Sequence, residues 1–146
     1  RLVNALGASL SVAEAFSDEA TLRHMLRFEA ALAYAAAEVG LIPKRAAAVI
    51  AKACDPARYD PVSLAEAARR SATLTVPVVK ALTAEVARRD ARASGYVHWG
   101  ATSQDVIDTT KVLQLGEVLP PLQPGAGIGR RREERRQVGE VSDGKS

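Results

Sequence analysis

At 146 residues the chain has room for one domain with a modest core, and a second full domain is excluded. Its residues are 47% hydrophobic but only 4% aromatic, so the core must be built largely from Ala, Val and Leu, which excludes an aromatic-rich sandwich or barrel and makes all-α the expected fold class. A net charge of +3 gives little support to nucleic-acid binding, a lone Cys54 excludes an internal disulfide and fits a reducing cytoplasm, and no apolar run reaches the roughly 18 to 20 residues of a membrane span.

The opening RLVNALGASL has neither the long apolar run nor the small-residue cleavage pattern of a secretory signal. Because the first residue is Arg1 and not Met, a short preceding segment is expected. The clearest helix is predicted from Asp18 to Val39. Ser17 is its N-cap, Asp18 and Glu19 complement its positive end, and Gly40 stops it. Leu22, Met25, Leu26, Leu32, Ala33 and Ala36 fall on one face, and His24, between Arg23 and Arg27, is expected on the surface. Pro43 opens a short second helix through Val49 and Ile50. CDPARYDP then reads as a loop, in which Cys54 has no motif-placed histidine to activate it as a nucleophile.

Asp60 and Pro61 start a third helix. A fourth is predicted from Val78 to about Ala91, with Pro77 at its entrance, Val78, Val79, Leu82 and Val86 inward, and Arg88, Arg89, Asp90 and Arg92 outward. Gly95 closes it. After the interrupted stretch YVHWGA a fifth helix begins near Ser103, with Val106, Ile107, Val112, Leu113 and Leu115 at helical spacing. From Gly116 the pattern is expected to stop, since the remaining 31 residues hold six of the ten glycines, three of the seven prolines and the run RRREERR. The predicted organisation is therefore a helical domain over 1–115 and a disordered tail over 116–146. Glu133 and Glu134 interrupt the arginine run and no aromatic lies near it, so a solvated face is expected there, not a nucleic-acid or lipid patch.

The chemistry-bearing stretch is GYVHWGATSQDVIDT, where two glycines, a histidine and a Thr-Ser-Gln-Asp run surround a helix start. A helix N-terminus offers unpaired backbone N–H groups and partial positive charge, to which the hydroxyls of Thr102 and Ser103 add donors. Gly100 would allow a ligand close to the backbone, and His98 would supply a proton or a positive charge near neutral pH. On physics alone the plainer alternative stands beside this one: Thr102 or Ser103 caps the helix with Asp105 in its first turn, and His98 and Trp99 pack the loop. Two histidines and one cysteine far apart in sequence give no recognisable metal set.

YVHWGATSQDVIDT, with AFSDEATLRHMLRFEAALAYAAAEVGLIP and VPVVKALTAEVARRDA upstream, closely resembles the 3-carboxy-cis,cis-muconate cycloisomerases of the fumarase/aspartase superfamily. The resemblance covers roughly residues 10 to 115. The superfamily pattern is His followed by Gly-x-Thr-Ser-x-Asp; Trp99 and Gln104 lean towards the cycloisomerases over the adenylosuccinate lyases, the same-family alternative. It implies that His98 is catalytic, that Thr102, Ser103 and Gln104 bind a polycarboxylate substrate, that Asp105 supports the loop, and that no cofactor or metal is used. It also implies a homotetramer whose central bundle gathers each site from three subunits. The implied reaction adds a carboxylate oxygen across a double bond of a carboxymuconate, with a proton delivered to the neighbouring carbon. Donors focused on a carboxylate would stabilise the aci-carboxylate-like dianion this passes through.

The chain departs from that family in three places. A second histidine region and the serine loop Gly-Ser-Ser-x-Met-Pro-x-Lys do not occur in it. SATLT at 71–75 stands where relatives carry a Gly-Asn pair that often touches substrate. After Leu115 the family continues a long helix, whereas here Gly, Pro and Arg rise sharply, the signature expected of a reading-frame shift in GC-rich DNA. The chain is accordingly expected to be an incomplete and inactive piece of the enzyme, or else a non-catalytic helical module that associates with full-length subunits.

Overall fold

The computed structural model describes residues 12–122, with side chains to residue 119. After a short helical stretch over 12–15 come five helices: α1 (Asp18–Glu38), α2 (Lys44–Ala53), α3 (Pro61–Ser71), α4 (Thr75–Arg89) and α5 (Ser103–Leu122). Single 3₁₀ turns at Pro56–Arg58 and Ala93–Tyr96 join them, and there is no strand among the described residues. The all-α expectation holds.

α1 is the axis of the molecule, packing against α2 and α5 most extensively and also against α3 and α4. Its start is fixed as expected: the Ser17 hydroxyl accepts from Ala20 N at 3.1 Å, and Asp18 and Glu19 sit in the positive first turn. Its end is a Schellman motif, with Gly40 N donating to Ala37 O and Leu41 N to Ala36 O; Gly40 takes φ +79°, a conformation costly for any residue with a Cβ. Asp60 caps α3 through Val62 N and Ser63 N, with Pro61 in the first position. α4 begins at Thr75, three residues before the predicted Val78, so Pro77 lies inside the first turn, where its missing N–H breaks no intrahelical bond.

The core is Leu22, Met25 and Leu26 of α1, Ala46, Ala47 and Ile50 of α2, Val78, Leu82 and Val86 of α4, and Val106 of α5. Alanines on α1 and α2 let these helices approach closely, which is how a chain with so few aromatics closes its interior. Leu32 and Val79, expected on the core face, are only partly buried.

Two expectations are corrected. His24 is buried at 2% exposure, not on the surface, because α5 lies across that turn of α1 and brings Glu117 Oε1 to 3.1 Å from its Nε2. For the same reason the helical pattern does not stop at Gly116: α5 continues to Leu122. A glycine inside a helix costs about 1 kcal/mol. Against that, Arg23 and His24 both meet Glu117, Gln114 Nε2 donates to Thr21 Oγ1 at 2.9 Å, and Val118 is buried. Tertiary contacts to α1 outweigh local propensity there. The predicted tail beyond residue 122, with RRREERR, lies outside the described residues.

Candidate functional site

The loop between α4 and α5 is built in two steps. Asp90 ends α4, and its Oδ1 accepts from Arg92 N and Ala93 N at 3.0 and 3.2 Å, turning the chain into the 3₁₀ turn Ala93–Tyr96. The ring of Tyr96 then meets that of Trp99 with centroids 5.7 Å apart, a tilted pair that stiffens the following residues. The chain reverses with His98 at φ +58° and Gly100 at φ +75°. A Cβ on Gly100 would touch nothing within 4 Å, so glycine is needed there for its backbone angle and not for close packing.

His98 sits in the left-handed region without being glycine, a strained conformation that costs about 1 to 3 kcal/mol unless its surroundings hold it. What holds it is Glu29, from the middle of α1 and 69 residues away in sequence, whose Oε1 lies 2.6 Å from His98 Nδ1. Glu29 is 1% exposed and the His98 side chain 18%. Burial pushes the Glu29 carboxyl above the ordinary carboxylate range, against the opposing pull of His98. Glu29 Oε2 has no partner among the described residues. Beneath the pair, burial and the nearby Glu29 together push the Cys54 thiol up to about 12, which leaves it protonated and poorly nucleophilic.

Thr102 and Asp105 form a reciprocal cap at the start of α5. Thr102 N and Oγ1 donate to Asp105 Oδ2 at 2.7 and 2.8 Å, and Asp105 N donates back to Thr102 Oγ1 at 3.3 Å. The backbone and side-chain bonds from Thr102, and next the charge of His98, draw the Asp105 carboxyl below its usual range. Both donors of Thr102 are therefore committed to a carboxylate already, and it belongs to this chain. Gln104 Nε2 donates to Asp108 Oδ1 at 2.6 Å, one turn along α5. Ser103 is half-buried at the first position of the helix. At the start of α4, Thr73 Oγ1 accepts from Thr75 N, and the buried Thr75 hydroxyl has no partner among the described residues.

The four residues singled out from the sequence thus lie in one turn and one helix start. Glu29, which no motif of the sequence marks, is the group that ties His98 to the core. The arrangement offers one imidazole held at Nδ1, and a helix N-terminus whose affinity for a carboxylate is displayed by its own Asp105. Among the described residues no three His, Cys, Asp or Glu side chains gather as a metal set would, and no helix is long and apolar enough to cross a membrane.

Comparison with known proteins shows the family to which these elements belong. The lyase family's sequence profile matches residues 7–124. A 3-carboxy-cis,cis-muconate cycloisomerase of Bradyrhizobium diazoefficiens is 53% identical over 115 residues, covering 79% of this chain and 26% of the relative. A nitrosuccinate lyase of Streptomyces davaonensis is 46% identical over 112 residues, covering 77% of this chain and 24% of the relative. The crystal structure of a 3-carboxy-cis,cis-muconate lactonizing enzyme from Pseudomonas putida superposes with a TM-score of 0.73 at 47% identity, over 76% of this chain and 25% of that one. The chain spans about a quarter of the length of the relatives it matches.

Proposed function

This chain belongs to the lyase family, and we propose that it is the N-terminal helical part of a 3-carboxy-cis,cis-muconate cycloisomerase. The observation that carries the proposal is the 53% identity to a cycloisomerase over a segment that includes the whole His98 turn and the start of α5. The substrate class is a small polycarboxylate. One substrate carboxylate takes the place of Asp105 at Thr102, with the Ser103 hydroxyl and the Gln104 amide as further donors, while His98 exchanges a proton with the substrate. The exchange of one carboxylate for another at a helix N-terminus conserves the favourable interaction with the helix dipole, so it is cheap in free energy. No cofactor or metal enters this reading, and its compartment is the cytoplasm.

His98 and the helix start cannot add an oxygen across a double bond unaided, so the remaining acid/base groups must come from further chain. The exposed side chains of Val112, Leu115 and Leu119, three, four and seven positions apart along α5, support an assembly in which that helix is covered, a homotetramer in this reading. The nitrosuccinate lyase at 46% identity supports a second reading, in which the same site serves an elimination next to a carboxylate, as in an adenylosuccinate lyase-like enzyme.

A chimera separates the two. Residues 1–119 joined in register to the downstream part of the Bradyrhizobium relative should convert 3-carboxy-cis,cis-muconate to its lactone, read as loss of diene absorbance. An assembled chimera that leaves the muconate untouched and cleaves nitrosuccinate or adenylosuccinate would transfer the assignment to the lyases. An assembled chimera inert towards all three would contradict both readings.

A further inference from the structure

We propose that Glu29 is a positioning residue for His98: its buried carboxylate keeps the proton on Nδ1, so that Nε2 is the nitrogen that gains and loses a proton. The inference rests on the reading of His98 as the acid/base group of the site.

Glu29 lies in the packed middle of α1, where Leu26 and Ala33, three residues before it and four after, are core residues, so its carboxyl is carried by the helix against which the other four pack. Its single partner among the described residues is His98 Nδ1, at the short separation of a charge-assisted bond. The pull of His98 opposes the burial that favours the acid form of Glu29, and held as a carboxylate Glu29 can only accept, so the imidazole donates from Nδ1. In free imidazole the other nitrogen carries the proton more readily; a fixed acceptor at Nδ1 reverses that preference. His98 Nε2 makes no hydrogen bond among the described residues and is not among their buried unpartnered atoms. It is the open position of the ring.

Two further observations fit a device and not a chance contact. The His98 backbone is held at φ +58°, so the turn is strained where the ring meets Glu29. An unpaired buried carboxyl would also be costly on a helix that could carry alanine at this position, as it does at the next. Pairing with His98 answers both costs. With Nδ1 occupied, neutral His98 accepts a proton at Nε2; once protonated it gives the same proton back from Nε2, and in the charged state its positive charge faces Glu29.

The test needs no turnover. The chain has only two histidines, so nitrogen NMR of the ¹⁵N-histidine-labelled 146-residue chain, with His24→Gln to assign signals, reads each ring directly. At a pH where the rings are neutral, His98 should show a protonated Nδ1 and an unprotonated Nε2. Glu29→Gln, which retains an oxygen acceptor, should preserve that pattern. Glu29→Leu should exchange it for protonated Nε2. A wild-type His98 protonated on Nε2 would overturn the proposal without needing any variant, as would a Glu29→Leu chain whose His98 still carries its proton on Nδ1. An inactive chimera with the expected tautomer would instead count against the cycloisomerase reading and leave the positioning role intact.

Discussion

Both histidines of this chain face a glutamate across α1, and the two pairs are built in opposite senses. In one, His24 is buried at 2% exposure and reaches Glu117, whose side chain is 42% exposed on α5. In the other, the carboxylate is buried and the ring belongs to the outer loop: Glu29 is 1% exposed, and His98 carries 18%. A buried ring tied to a surface carboxylate braces two helices. A loop ring tied to a buried carboxylate is aimed by the core, with one nitrogen held and the other open. The lesson is that which partner is buried, not the presence of a His–Glu pair, separates the strut at His24 from the acid/base role proposed for His98.

That contrast can be broken most sharply by exchanging the histidines in the chimera. His98→Gln should lower kcat by about 10² to 10⁴-fold, the range for loss of a general acid or base, whereas His24→Gln should leave turnover near wild type and lower thermal stability. Equal losses from both would erase the distinction. The scaffold common to the pairs comes next in size. Leu26, fully buried between His24 and Glu29 on α1, should cost about 2 to 5 kcal/mol when cut to alanine, measured as the denaturant midpoint. A cost under about 1 kcal/mol would mean that α1 does not hold the two pairs rigidly.

The cap beside His98 should give a smaller effect. Thr102→Ala removes the hydroxyl of the reciprocal cap and should cost about 0.5 to 2 kcal/mol. The contribution of Asp105 carries a sign in pH. Its folded carboxyl is drawn below 3.8, so the stability it adds is complete above that value and fades as pH falls through the depressed folded value. The stability gap between wild type and Asp105→Asn should therefore narrow in acid. A gap that widens there would show that Asp105 is not held as an anion by Thr102.

Much of this was legible in the residues, and the failures have a common cause. Ser17, Gly40, Asp60 and Thr102 act through neighbours within five residues, so the bounds of α1, the start of α3 and the cap of α5 could be read from local chemistry. His98, Thr102, Ser103 and Gln104 were recognisable by their order in one short stretch. Glu29 was not, because a carboxylate on a helix is ordinarily solvated and nothing near it in sequence reveals a partner 69 residues away. His24 and the end of α5 were misjudged together: each depends on the other, through Glu117, at a separation where periodicity carries no information. The one local hint was that Glu29 falls three residues from Leu26 and four from Ala33, on the stripe that had already been assigned to the core.

The most direct test of the account is a double-mutant cycle in the chimera, comparing Glu29→Leu, His98→Gln and the pair. If Glu29 acts through His98, the single Glu29 variant should lower kcat by about 10 to 100-fold, and adding it to His98→Gln should lower kcat no further. Losses that multiply in the double variant would contradict the account, since Glu29 would then act on the reaction by a route that does not pass through His98.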